Sequence, residues 1–329
     1  MSEPKMISVI TLTYNKFEHL PLTIKSVLAQ DYPNIEYIIS DDASERFPEE
    51  EVMELIRTYQ KSNITRFHLV RNETNIGIVR NANKAYQMAS GAYMVNLSCG
   101  DVFFETSTLS KIAARFQSSG AQVLVASRIK YGNDLKPLCL MPHYQERELI
   151  RQYDTPLKQY KAFLLGRDCD MASGSAMYYA RDTIEKMGWF DERYRLWEDG
   201  PFLAKYLWQS PLEFAYDIIS IWYESGGISS PASGASHSLT WEDEKKFWNS
   251  DIFQHVDAFS AEEKAQLFYH LVRGLDRGTI DKILTRLRFF PEWRFFRRHI
   301  NLRRKALAKD PEYICEALKS PDLIDLETL

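Results

Sequence analysis

A chain of 329 residues with 45% hydrophobic and 26% charged content can bury a substantial core, and one large domain or two ordinary ones are expected at this length. The formal net charge of −4 excludes a global pull toward nucleic acid or an anionic surface and leaves only local basic patches for such partners. Cys99, Cys139, Cys169 and Cys315 are scattered with no C-x-x-C pair, which reads as free thiols in a reducing compartment, not a disulfide framework or a zinc cluster.

The apolar run that begins at residue 7 is too short for a leader peptide, and no stretch approaches about 18 uninterrupted apolar residues. A soluble, cytoplasmic chain is expected. From residue 7 to 130, short β-rich runs alternate with helical patterns. The expected strands are 7–13, 36–40, 66–71, 93–97 and 123–129, and the expected helices are 20–29, 49–60, 78–89 and 106–118. This order predicts an α/β fold with a mostly parallel sheet covered on both faces. Ligands of such sheets bind beyond the carboxyl ends of the strands. Polar residues gather there: Thr13, Tyr14 and Asn15 after the first strand, Ser40 to Ser44 after the second, and Ser98 to Asp101 after the fourth. Asn, Asp and Ser also cap helices and make turns, but three such groups on one rim point to a binding site.

Residues 131–230 alternate less regularly, with helices expected over 157–165, 181–187 and 200–209, and read as an acceptor-side half behind a nucleotide-binding half over 1–130. The Gly/Ser-rich loop 226–238 separates them from a helical region that completes 231–329.

The run ISVITLTYNKFEHLPLTIKSVLAQDYPNIEYIISDDAS resembles the opening of family 2 glycosyltransferases, which have the GT-A fold: a T-Y-N turn, a helix with S-V-L-x-Q, and a second strand ending in D-D-x-S. NETNIGIVRNANKAYQMASGAYMVNLSCGD and WFDERYRLWEDGPFLAKYL resemble the later segments of that family, so the likeness covers residues 6–230. It implies inverting transfer of a sugar from a nucleotide-diphosphate sugar, usually with a metal ion bridging the diphosphate.

The residues carry that chemistry as follows. A uracil or thymine imide N–H needs an acceptor, and Asp42 at a strand end fits; the resemblance adds Asp41, Thr13, Tyr14 and Asn15 to the nucleoside pocket. Asn75, Gly77 and Arg80 stand where the third strand gives way to a helix, and a helix N-terminus favours the anionic diphosphate. The family's D-x-D acids align with Ser98 and Gly100, so only Asp101 keeps a carboxylate for Mn²⁺ or Mg²⁺. One Asp can suffice for a hard cation that already holds phosphate oxygens. The fold often takes a further metal ligand from a His past the acceptor half, a place held here by His237. Inversion needs a base to remove the acceptor hydroxyl proton; by resemblance Asp199 is that base, Glu198 orients it or binds an acceptor hydroxyl, and Trp197 offers a stacking platform.

The expected acceptor is a glycan or a lipid-linked saccharide. Residues 286–310 concentrate arginines among aromatics, which suits peripheral contact with an anionic bilayer; packing of the aromatic side on the catalytic domain is the expectation favoured here, because Pro291 interrupts the helical pattern. Confinement of the basic residues to this tail argues against a nucleic-acid partner. A second reading keeps the fold and the Asp42 pocket without transferase activity, a degenerate nucleotide-sugar-binding module, which the loss of acids at Ser98 and Gly100 favours and Glu198-Asp199 opposes.

Overall fold

The computed structural model describes residues 3–165, 171–225, 242–247, 251, 254–274, 279–294, 297 and 310–329. Strands β1 (Ile7–Thr13), β2 (Ile35–Asp41), β3 (Ile64–Arg71) and β4 (Tyr93–Asn96) run parallel in the order β3-β2-β1-β4. β1 and β2 are buried along almost their whole length, as strands covered on both faces must be, which is why they read as continuous apolar runs. Successive side chains leave on opposite faces. Val9 and Ile39 enter one core, with helix α1 (Leu20–Leu28) and helix α2 (Glu49–Tyr59), while Ile10 and Ile38 enter the other, beneath helix α3 (Ile78–Met88).

Beyond β4 the alternation ends. Strand β5 (Val102–Phe103) and helix α4 (Thr108–Ser119) precede β6 (Val123–Tyr131), and β6 does not continue the parallel set beside β4. Strand β8 (Met177–Ala180) lies between them, antiparallel to both. The full path is β3-β2-β1-β4-β8-β6-β9-β5, where β9 is Glu213–Glu224 and β7 (Pro137–Met141) pairs with β6. Helices α5 (Tyr144–Ile150), α6 (Pro156–Leu164), α7 (Arg181–Met187) and α8 (Asp199–Leu207) complete the second half. The sequence carries no alternation that reveals β9, because the strand is buried unevenly along its length.

Residues 310–329 close against the sheet. In the helix Asp310–Ala317 the buried Asp310 carboxylate accepts from the backbone N–H of Leu140 at 3.3 Å and Tyr144 at 3.2 Å and contacts His143 Nδ1 at 2.5 Å. Tyr313 stacks on Tyr144 with ring centroids 3.7 Å apart. Ile314, Ile324 and Leu326 belong to the same core as Val9 and Trp222.

The helix Thr279–Arg288 has no buried residue. Phe289 just beyond it meets Phe268 and Tyr269 of the helix Ala261–Gly274 at 5.7 and 6.1 Å between centroids. The opposite side, Ile280, Ile283, Leu284 and Leu287, is 49 to 74% exposed. The aromatic contact is to a neighbouring helix and the aliphatic stripe stays uncovered among the described residues; of the basic segment 286–310, residues 295–296 and 298–309 lie outside the described residues. No helix of the described residues is long and apolar enough to cross a membrane. Cys99 and Cys315 are free thiols; Cys169 lies outside the described residues.

Candidate active site

The carboxyl ends of β1, β2 and β4 form one rim, as the parallel pairing demands. Thr13 is in register with Asp41, and its hydroxyl donates to Asp41 Oδ1 at 2.9 Å. Asp41 is fully buried and also accepts from the Ser44 hydroxyl at 2.5 Å and, through Oδ2, from the Ser44 N–H at 2.9 Å. These bonds hold a turn whose Ala43 has φ 64°, a left-handed conformation that a non-glycine residue adopts at a cost. Asn15, at φ 51°, is fixed to the same turn by its N–H to Ser44 Oγ at 2.8 Å, and its side-chain oxygen accepts from Glu45 N–H at 3.1 Å. Asp41 therefore shapes the turn through its neighbours. Tyr14 is 45% exposed at the rim.

Asp42 ties this turn to the next loop. Oδ1 accepts from Asn72 Nδ2 and Ile76 N–H, both at 2.9 Å, and Oδ2 from Gly77 N–H at 2.9 Å. A carboxylate offers about four acceptor directions, and three of them are taken by these bonds. Gly77, at φ 89°, caps α3 and lies under the chain at Arg195: a Cβ there would meet Arg195 Cγ at 2.8 Å and its carbonyl oxygen at 3.1 Å. The close approach requires glycine. Arg195 also donates from Nη2 to Asn75 Oδ1 at 3.1 Å, and its N–H and that of Leu196 donate to the buried Asp243 carboxylate at 2.8 and 2.7 Å. Arg80 is exposed and pairs with Glu192 at 3.4 Å. The motif reading found Asn75 and Gly77 but not Arg195, which meets them from more than 100 residues away, nor Asp243, which holds the Arg195 segment; neither has a local pattern.

Glu198 and Asp199 stand where α8 begins. Asp199 Oδ2 accepts from Gly174 N–H at 2.7 Å, and Gly174 is held in turn by Asn96 at the end of β4, whose Nδ2 donates to the Gly174 carbonyl. The pair keeps partial solvent access although it sits deep among protein atoms. That burial raises both carboxyls above the usual range, and for Glu198 the neighbouring Asp199 charge adds to it; for Asp199 the backbone N–H groups of Gly174 and Gly200 oppose the rise. Such tuning suits proton transfer near neutral pH. Trp197 is partly buried, edge-on to Phe247 with centroids 5.2 Å apart, and pressed so closely on Gly200 that a Cβ there would overlap its ring.

At the end of β4 the arrangement departs from the metal site that the resemblance implies. Ser98 and Gly100 supply no carboxylate. Asp101 Oδ1 accepts from Glu224 N–H at 2.9 Å, and Oδ2 is sealed from solvent without a partner; burial pushes this carboxyl up to about 8. A sealed oxygen does not face an incoming diphosphate, and among the described residues no three His, Cys, Asp or Glu side chains converge as metal ligands. The described residues thus do not fit a divalent cation. His237 lies outside the described residues.

Glu224, which sequence reasoning missed, sits beside this turn at the end of β9. Its Oε2 receives Lys16 Nζ at 2.5 Å and its Oε1 contacts His19 Nδ1 at 3.0 Å. A cavity of about 740 Å³ opens elsewhere, between α3 and α8, lined in part by Asn83, Trp189, Lys205 and Trp208, and none of the rim carboxylates lines it.

A parallel sheet with acidic turns on its carboxyl rim, extended by a mixed half that brings a carboxylate pair to the same side, defines a GT-A type sugar-transferring enzyme. The family model described as glycosyl transferase family 2 matches residues 8–188, and the chain belongs to that family. It is similar to the putative teichuronic acid biosynthesis glycosyltransferase TuaG of Bacillus subtilis, 35% identical over 29% of this chain and 36% of the relative. It is also similar to the UDP-Glc:alpha-D-GlcNAc-diphosphoundecaprenol beta-1,3-glucosyltransferase WfaP of Escherichia coli, 29% identical over 33% of this chain and 40% of that one. The chain thus spans well under half the length of these relatives. Among solved structures, S. aureus TarS 1-349 in complex with UDP-GlcNAc superimposes with a TM-score of 0.52 at 14% identity, covering 82% of this chain and 81% of that one.

Proposed function

We propose that this transferase is inverting, moving a sugar from a UDP-sugar to a hydroxyl of a glycan or lipid-linked saccharide at the cytoplasmic side of a polysaccharide-assembly system. The observation that carries the reading is the Glu198-Asp199 pair, placed at a helix start on the ligand side of the sheet and anchored by Gly174 N–H. In the reaction the Asp199 carboxylate takes the acceptor hydroxyl proton as that oxygen attacks the anomeric carbon. The bond from that carbon to the nucleotide oxygen breaks on the opposite face, and its electron pair leaves with the diphosphate. Glu198 hydrogen-bonds the acceptor beside it, and Trp197 borders the same opening. Asp42, Thr13 and the 72–77 loop receive the nucleoside, with Asn15 and Tyr14 at its edge, and Arg80 lies on the diphosphate side of α3. The UDP-Glc in the name of WfaP and the UDP-GlcNAc bound to TarS support uridine as the base.

The experiment is titration of the purified chain with UDP, dTDP and GDP by calorimetry, followed by transfer assays with the sugars of the nucleotide that binds. Binding of UDP alone with transfer to a saccharide acceptor is expected. Binding without turnover on any donor would favour the degenerate binding module, which the absence of acids at Ser98 and Gly100 keeps in view.

The helix Thr279–Arg288 supports contact with a bilayer that carries the acceptor. At about 100° per residue, Ile280, Ile283, Leu284 and Leu287 form one stripe, and Arg286 and Arg288 fall at its two edges. Within residues 279–294, Lys282, Arg286, Arg288 and Arg294 face only Asp281 and Glu292 as acids. An exposed apolar stripe edged by arginines complements an anionic lipid surface, and this moves the basic contact expected over 286–310 to begin at residue 280.

A further inference from the structure

Gly100 stands at one of the two positions where the family's D-x-D acids are expected, and its surroundings show what replaces the missing side chain. A Cβ built on Gly100 would lie 2.4 Å from Glu224 Oε2 and 2.8 Å from Glu224 Cδ. The space of a residue-100 side chain is therefore filled by a carboxylate that arrives from β9, a strand 124 residues further along at Glu224. Three bonds fix it there. Glu224 N–H donates to Asp101 Oδ1 at 2.9 Å, His19 Nδ1 contacts Oε1 at 3.0 Å, and Lys16 Nζ reaches Oε2 at 2.5 Å. The turn is equally defined: Gly100 N–H donates to Thr23 Oγ1 at 3.0 Å, the Tyr131 hydroxyl donates to the Gly100 carbonyl, and Cys99 Sγ contacts the Lys16 carbonyl at 3.1 Å. The φ of 102° at Gly100 makes a return to Asp at this position costly.

We propose that the Lys16 ammonium, held by Glu224, supplies the positive charge for the donor diphosphate, so that nucleotide binding by this chain does not depend on a divalent cation. The proposal rests on the donor-site reading above. Where an acid at position 100 would hold a metal ion against the phosphates, the carboxylate in that space is Glu224 and the cation it holds is an amine. Lys16 follows the Thr13-Tyr14-Asn15 turn directly and its side chain is 43% exposed at the rim, so its ammonium can meet phosphate oxygens while its carboxylate partner keeps it in place. An ammonium acts on phosphate as a point charge with three donors, and a charge-assisted bond of this kind is stronger than a neutral one. As the glycosidic bond to the nucleotide breaks, the same ammonium faces the charge that develops on the departing diphosphate.

The test is calorimetric titration of UDP into the full chain in EDTA and, separately, in Mn²⁺, for the wild type and for Lys16→Met, Lys16→Arg and Glu224→Gln, with thermal unfolding of each variant alongside. The expected result is a wild-type Kd that changes by no more than about twofold between the two buffers, about tenfold weaker binding for Lys16→Met in both, and substantial recovery in Lys16→Arg. Glu224→Gln should weaken binding less than Lys16→Met, since the amine remains but loses its anchor. Wild-type binding that collapses in EDTA would overturn the proposal, as would a folded Lys16→Met chain with wild-type affinity. Absence of binding to UDP, dTDP and GDP in both buffers would instead remove the donor-site reading itself, and this proposal with it.

Discussion

Gly174 N–H donates to Asp199 Oδ2 at 2.7 Å, and the Gly174 carbonyl accepts from Asn96 at the end of β4. The carboxylate assigned as the base is thereby referenced to the central parallel strands and not only to its own helix. Asp199→Asn keeps the shape but cannot take a proton. Transfer should fall by about 10² to 10⁴-fold, with UDP affinity within about twofold of wild type; a variant that turns over normally would remove Asp199 as the base.

Gly174→Ala tests the anchor. The added methyl would lie 3.0 Å from Asp199 Oδ2, so either the turn or the carboxylate must shift. The expected outcome is a kcat loss of about tenfold or more with little change in nucleotide affinity, because misplacement by an ångström is expensive in catalysis. Unchanged kcat would mean that this bond does not position the base.

Burial raises the Glu198 and Asp199 carboxyls, and the base works only when ionised. The rate should therefore rise with pH along an acid limb that lies above the ordinary carboxylate range near about 4. Glu198→Gln removes a neighbouring negative charge, which favours ionisation of Asp199 and should move the limb to lower pH. A limb that stays in place would show that the two groups titrate independently.

Asp310 accepts from two backbone N–H groups and meets His143 in a buried setting. Asp310→Ala leaves those donors unanswered and should cost about 2 to 4 kcal/mol of stability, read as a lower denaturation midpoint, with Asp310→Asn recovering part of it. A midpoint shift below about 0.5 kcal/mol would show that water reaches the site.

Leu284→Glu combined with Leu287→Glu places acids in the stripe of the helix Thr279–Arg288. Co-sedimentation with vesicles containing anionic lipid should fall by about tenfold, while the wild type should bind neutral vesicles poorly. Equal binding of wild type and variant would assign any membrane contact to another surface.

The parallel half was legible because its signals are local: 7–13 and 78–89 show the periods of a buried strand and an amphipathic helix, and the turns after β1 and β2 carry polar residues just where that pairing ends. The Asp42 turn and the Glu198-Asp199 start of α8 were visible for the same reason. Long-range partners were not. Glu224 comes to the Gly100 turn from β9, Asp243 holds the Arg195 segment, and β8 separates β6 from β4; none of these is written in a window of ten or twenty residues. The acids at Ser98 and Gly100 were recognised as missing, but the space left at Gly100 became informative only with the chain folded around it.

β5 follows the Gly100 turn immediately and is secured from far along the chain: Val102 pairs with Trp222, Phe104 N–H donates to the Ser220 carbonyl, and the Phe104 carbonyl accepts from Ile324 N–H. Trp222 Nε1 donates to the Ile324 carbonyl in turn. Closing such distant loops is slow. The shape of the Gly100 turn therefore depends on partners that lie more than a hundred and then more than two hundred residues further along the chain, so a change in β9 or in residues 310–329 reaches this turn without touching it in sequence.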